Sequence, residues 1–242
     1  MQGINWGWSK TFMNAEIESR SPIIKGFKSL MTKLLLTKSS LSLLLGDNSL
    51  QAIGELAYGL LGTPSYSLMA QYLNQDPACA ALIRERYIAP THEIKVLLAL
   101  PPNSLGYIYA EQMVKTGFDP NLHNGMASSS DAEYVELRLS QTHDLWHIVT
   151  GFDTSPTGEI GLQAFHLPQF PYPLATMLVG IALISSTLGA PEMLPELLDA
   201  ITKGFLMGRT AKPLFAQKWE QGWEKPLSQW RAELNIEPIA HT

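Results

Sequence analysis

The chain has 242 residues, 45% of them hydrophobic and 16% charged, with a formal net charge of −5 and one cysteine. That length is ample for a sizeable core, and the negative balance argues against a nucleic-acid partner. Cys79 alone rules out an internal disulfide or a cysteine-rich zinc site and reads as a small buried hydrophobe. The N-terminus shows no apolar stretch followed by a small-residue cleavage site, and Glu16 and Glu18 do not suit a basic transit peptide. A cytoplasmic, bacterial-type chain is expected.

Residues 1 to 20 carry Trp6, Trp8 and Phe12 in a glycine-broken context, open to reading as a frayed start or a surface anchor. Ser21-Pro22 has the form of a helix start. Ile23, Ile24, Phe27, Leu30, Met31, Leu34 and Leu35 then recur at helical spacing. Lys25, Lys28 and Lys33 border that stripe, with Arg20 and Lys38 on either side and no acid from Ser19 to Gly46. Such a basic amphipathic helix can lie on an anionic membrane or pack on the domain. Gly46-Asp47-Asn48 is a turn. Helices are expected over Gln51–Leu61, Tyr66–Leu73 and, behind an Asp76-Pro77 cap, Ala78–Arg86, with Arg84 and Arg86 on a solvated face. Lys95–Leu100 is short and ambiguous. After Pro101-Pro102 a helix runs from Asn103-Ser104 to about Lys115, and its spacing makes Tyr107 a core residue. Gly117 to Ser130 is loop.

Asp131 is expected to cap a helix that ends in THDLWH. His143 and His147 stand at i and i+4, so their rings leave one face about one turn apart, and Asp144 borders that face. Gly151, Pro156 and Gly158 end this helix and start another, which puts Glu159 in a first turn, where a carboxylate is favoured. Two imidazoles and two carboxylates converging across a helix–loop–helix form a candidate divalent-metal site. A bare HxxxH is equally at home on a core-facing stripe. Zinc proteases place a glutamate between their histidines as general base; here it is aspartate beside the first histidine, so that chemistry does not transfer. Gln163 follows Glu159 at i+4 as a possible partner to the ligands, and His166 reads as a helix-end histidine.

Leu174–Leu188 is apolar all round but only about 15 residues, against about 20 for a spanning helix, so a buried central helix is expected. Met193–Met207 is amphipathic. Arg209 and Lys212 follow, free to be solvated or to meet an anionic head group. Trp219, Trp223 and Trp230 have the spacing of a helical stripe. No strand of useful length emerges. The fold expected is all-α, one domain over 1–242 of eight to ten helices, with 1–45 undiagnostic and no repeat or domain-size linker.

HDLWH, an eleven-residue gap and Glu159 together resemble the HDxxH-x11-E signature of the coenzyme Q (ubiquinone) biosynthesis protein 4 family. GEIGLQAF after the motif, YVELRLSQTHD with Arg138 before it, PPNSLGYIYAEQM, GRTAKPLFAQKWEQGW and RAELNIEP are similar too, over about 50–238. The resemblance implies a divalent metal, usually zinc, held by the residues matching His143, Asp144, His147 and Glu159. It implies a part in making ubiquinone, as an organiser of ring-modifying enzymes at a membrane surface and in replacing the ring C1 carboxyl by hydroxyl. It also places the aromatic face of Tyr107 and Tyr109 near the site. Asp144 is then the candidate catalytic base. Arg138, Gln163, Arg209 and Lys212 are candidates to support the ligands or meet a head group. An apolar cavity would hold a prenylated quinone precursor or isoprenoid lipid.

Zinc alone does no redox chemistry, so an oxidative step would call for iron or manganese, or for oxygen activated in some other way; magnesium is a further choice. The expected setting is the inner face of the membrane, among other quinone-biosynthesis proteins, as a homodimer. Two other readings stand beside this one. The first is a non-catalytic lipid-binding scaffold with a structural metal. The second is an HD-type phosphohydrolase, for which His92 and Asp199 match by type only and Glu159 has no role.

Overall fold

The computed structural model describes residues 22–46 and 49–239, with side chains from Thr32 on, Leu50 excepted. Trp6, Trp8, Phe12, Arg20 and the side chains of Lys25 and Lys28 lie outside the described residues, as do Asp47 and Asn48. Among the described residues there are eleven α-helices: α1 (Pro22–Leu44), α2 (Leu50–Leu61), α3 (Pro64–Leu73), α4 (Pro77–Glu85), α5 (Ile94–Leu97), α6 (Leu105–Thr116), α7 (Asp131–Thr150), α8 (Pro156–Gln169), α9 (Pro173–Gly189), α10 (Leu194–Thr210) and α11 (Leu227–Leu234). Short 3-10 turns span Pro191–Met193 and Trp219–Gly222, and a lone bridge pairs Ser104 with Pro226. The fold is all-α, with slightly more helices than the eight to ten expected, since α5 is a single turn too brief to show periodicity.

Local chemistry sets most boundaries. Ser49, Asp76, Ser104 and Ser155 each accept a backbone N–H of the first turn they precede. Proline opens α3, α4, α8 and α9, where its missing N–H costs nothing. The cap of α7 is Ser130, whose Oγ accepts the Glu133 N–H at 3.2 Å. Asp131, expected in that role, is the first helical residue, and its carboxylate takes the Arg86 guanidinium at 2.6 Å. Arg86 is thus not simply solvated: it ends α4 in the left-handed region and stands over the Tyr134 ring.

The centre of the molecule is α7, packed against α3, α4, α6, α8 and α11. Leu145 to Thr150 are all buried, so its last turn and a half has no solvent face. α9, expected as the buried central helix, is buried at Leu174, Ala175, Val179 and Ile181, but Ile184 is 51% and Leu188 82% exposed. A helix apolar all round gives no signal of where the protein stops covering it. Among the described residues no helix is long and apolar enough to cross a membrane. The tryptophans do not share one helix: Trp219 is in a 3-10 turn, Trp223 beyond it and Trp230 in α11. Trp219 and Trp230 meet at 4.8 Å between ring centres in the core, and Trp223 stacks on Tyr109 at 5.2 Å. Cys79 is buried, which pushes its thiol up to about 12.

Candidate metal centre

The centre is built where α7 ends and α8 begins. Gly151 stops α7 at φ +82°, its N–H bonded to the His147 carbonyl at 2.8 Å, a left-handed turn that favours glycine. Four residues later Ser155 caps α8 with Pro156 in its first position. The chain therefore reverses within one short loop, and Glu159 in the first turn of α8 faces the last turns of α7. Glu159 Oε2 lies 3.5 Å from His143 Nε2, and Oε1 lies 3.1 Å from His147 Nε2. The two rings are 4.7 Å apart, and the ligating atoms of all three residues fall within 4.8 Å of one another.

The tautomer of His147 follows from its neighbour. Its Nδ1 is 2.9 Å from the Phe152 carbonyl, which can only accept, so Nδ1 carries the proton. Nε2 then offers a lone pair, sealed from solvent and without a donor, to a carboxylate oxygen that is also an acceptor. Two acceptors at this distance are stable only around a positive charge, either a proton or a metal ion. Burial works against the charged form of His143, yet the Glu159 carboxylate, Asp144 and Glu136 together hold its pKa above the usual histidine value. Burial likewise opposes ionised Glu159, but the two histidines hold it well below the carboxylate range. Two imidazoles and a carboxylate fit a divalent first-row metal, with the carbonyl of Phe152 fixing one ligand's orientation.

Asp144 is half-buried and outside this converging group; no hydrogen bond or ion pair from the described residues holds it. Its charge is felt by His143, by the loop residue His123 and by buried Tyr109. Gln163, one turn after Glu159, is buried with Oε1 sealed and undonated. Arg138 is buried too, but its guanidinium is bound to Glu220 at 2.7 and 3.0 Å and to the Gln217 carbonyl. Arg209 and Lys212 are exposed on the far end of α10 and just after it. His166 is not a helix-end surface residue: it stacks on Trp146 at 4.5 Å, donates to the Leu162 carbonyl, and burial lowers its pKa to about 3. His92 is packed between Tyr109 and Trp223, and Asp199 pairs with Lys203, so neither joins the centre as a phosphohydrolase would need.

The sequence reading missed Glu136. It shares a face of α7 with His143 and His147, and it is a buried carboxylate held by two tyrosines. The spacing 136, 140, 143, 147 carried that signal, but an isolated Glu among apolar residues reads as one charge on a helix. A broad hollow of about 400 Å³ lies between α4 and the C-terminal segment, lined by charged groups such as Glu85, Lys218 and Lys225.

The profile described as coenzyme Q (ubiquinone) biosynthesis protein Coq4 matches residues 27–240. The mitochondrial ubiquinone biosynthesis protein COQ4 of Uncinocarpus reesii is 30% identical over 157 residues, 64% of this chain and 55% of its own length. The mitochondrial COQ4 homolog of Aedes aegypti is 31% identical over 152 residues, 62% and 54% of the two chains. The matched region is thus a little over half the length of these curated relatives. A crystal structure of a protein from Nostoc punctiforme PCC 73102, provisionally named for ubiquinone biosynthesis, superposes with a TM-score of 0.76 at 30% identity, covering 84% of this chain and 95% of that one. Since the profile match runs through both helices of the metal centre and nearly all of the described chain, the protein belongs to the coenzyme Q (ubiquinone) biosynthesis protein Coq4 family.

Proposed function

We propose that the protein serves ubiquinone-type quinone biosynthesis by holding a prenylated ring precursor beside a divalent metal, where the ring C1 carboxyl is exchanged for hydroxyl. The observation that carries this reading is the ligand count. His143, His147 and Glu159 converge, while Asp144 stands outside the group. Three protein ligands leave a coordination position open, as catalytic sites do; four would close it, as structural sites do. A bound metal would act as a Lewis acid toward a phenol or carboxylate oxygen. The chain's own residues supply the rest. Phe152 fixes the His147 tautomer, and Asp144, with its carboxylate uncommitted, accepts a proton from the ligand. The exchange is a two-electron oxidation of the ring in which the carboxyl leaves as CO2; zinc accepts no electrons, so an oxidant such as dioxygen would be required, and the identity of the metal decides whether the centre itself could activate it.

Apolar residues stay exposed on α9 and α10, among them Ile184, Leu188, Phe205 and Leu206, near the cations Lys203 and Arg209. That combination supports a protein lying on the inner face of a membrane, drawing its isoprenoid substrate from it and working among other quinone-biosynthesis proteins. A two-fold dimer remains part of this reading, with a seam that does not use Trp219 and Trp230, which are spent in the protein's own core.

Elemental mass spectrometry of the purified protein beside Glu159→Ala tests the reading. Near-stoichiometric metal that is lost in the variant is expected. Zinc or magnesium would mark Lewis-acid chemistry, and iron or manganese redox chemistry. Metal-free protein from metal-replete cells would overturn the enzymatic reading and leave a lipid-binding scaffold.

A further inference from the structure

Two turns before His143, on the same face of α7, Glu136 is buried to 5% exposure. Two hydroxyls donate to one of its oxygens: Tyr66 on α3 and Tyr172 at the start of α9 each reach Oε2 at 2.9 Å. No described donor reaches Oε1, nor is that oxygen among the sealed, partnerless atoms of the core. Glu136 lines a pocket of about 30 Å³ together with Ser140, Leu137, Leu61, Met126, Ala127 and His123. Glu133, at the rim, is engaged by the N–H and Oγ of Ser129. An undonated oxygen on a fully buried carboxyl, opening on a small pocket, calls for a donor from outside the protein. The volume has room for a water-sized group such as a hydroxyl. Leu61, Met126, Ala127 and Leu137 make part of the lining apolar, which suits the ring edge that would carry that hydroxyl.

Ser140, in the lining of this pocket, stands three residues before His143 on α7. The charge of His143 reaches Glu136, and the charge of Asp144 reaches His123 across the loop. We propose that this pocket is a subsite for a phenolic hydroxyl, with Glu136 Oε1 accepting its hydrogen bond and Tyr66 and Tyr172 holding the carboxyl in place. The rest of the molecule then faces His143, His147 and Glu159. The inference rests on the proposed function only in what it takes the ligand to be, and it deepens that reading by naming the group recognised.

Titrations of phenol and of its methyl ether, anisole, followed by ligand-observed NMR, test the subsite. Phenol should bind the wild-type protein about tenfold more tightly than anisole, the value of a hydrogen bond to a carboxylate. In Glu136→Gln the amide oxygen still serves both tyrosines and leaves an NH2 group in the pocket, so the preference for phenol should vanish. Met126→Trp, which fills the pocket and leaves Glu136 alone, should weaken both ligands. In Glu159→Ala the preference should persist, which separates this site from the metal. Equal binding of the two ligands by the wild type, a preference surviving Glu136→Gln, or one lost in Glu159→Ala would overturn the proposal. Circular dichroism checks each variant's fold; should Glu136→Gln be unfolded, an unchanged preference in Met126→Trp overturns it instead.

Discussion

Asp144 and His147 sit three residues apart on one helix and meet different surroundings. His147 is buried, and one ring nitrogen is already spoken for by Phe152. Asp144 is half-exposed and uncommitted. Asp144→Asn should therefore fold normally and retain metal, yet abolish quinone synthesis in vivo; normal quinone levels in a strain carrying it would refute the base role. His166 makes a second residue-level prediction. Burial depresses its pKa to about 3, against about 6.5 in an unfolded chain. The unfolded state then binds the proton more readily than the folded one, so stability is full above pH 6.5 and falls as the pH drops toward 3. The loss is on the order of 4 kcal/mol by the acid end of that window. Urea midpoints between pH 7 and 4 should decline less steeply for His166→Phe than for the wild type.

The element that aims Glu159 is α8, and its most extensive neighbour is α10. The two helices touch backbone to backbone. A Cβ on Gly204 would collide with the Gly161 carbonyl, and one on Gly208 with the Phe165 carbonyl. Side chains cannot yield there, since the obstacle is main chain. Gly204→Ala and Gly208→Ala should each lower stability by about 1–3 kcal/mol. Because α8 would have to move, metal affinity should fall with it, measurable by competition with a chelator. Unaltered thermal stability and affinity would mean that the two helices have slack between them. Gly204 and Gly208 are visible in the sequence four apart, on one face of an amphipathic segment. What could not be read there is which helix they press against, because a missing side chain names no partner.

Across the whole molecule, the C-terminal segment returns to brace α7. Arg138 and Glu220 pair with side chains 1% exposed, tying the middle of α7 to the turn at 219–222. Arg231 donates to the carbonyls of Val149 and Ile148, and the Ile239 N–H to that of Thr150, so the open end of α7 is closed from eighty residues away. Arg138→Ala would leave a buried carboxylate alone and should cost about 3–5 kcal/mol, read from denaturant unfolding. The double variant Arg138→Met with Glu220→Leu should recover most of that loss. A single variant as stable as the wild type would show that water reaches Glu220.

Much was written in the chain itself. The all-α class, the caps Asp76 and Ser104, the break at Gly151 to Pro156 and the trio His143, His147 and Glu159 depend on neighbours within about twenty residues. Local physics sufficed: helical periodicity, proline and glycine at helix ends, and a short loop that returns a carboxylate to two imidazoles. The separation of Asp144 from those three, the pairing of Arg138 with Glu220 and the tyrosine clasp on Glu136 were decided only by tertiary structure. Each depends on residues that lie 36 to 82 positions apart, or on which way a side chain turns when its helix packs. The same holds for α9 and the tryptophans, whose apolar surface is equally ready for core, membrane or partner until other helices cover it.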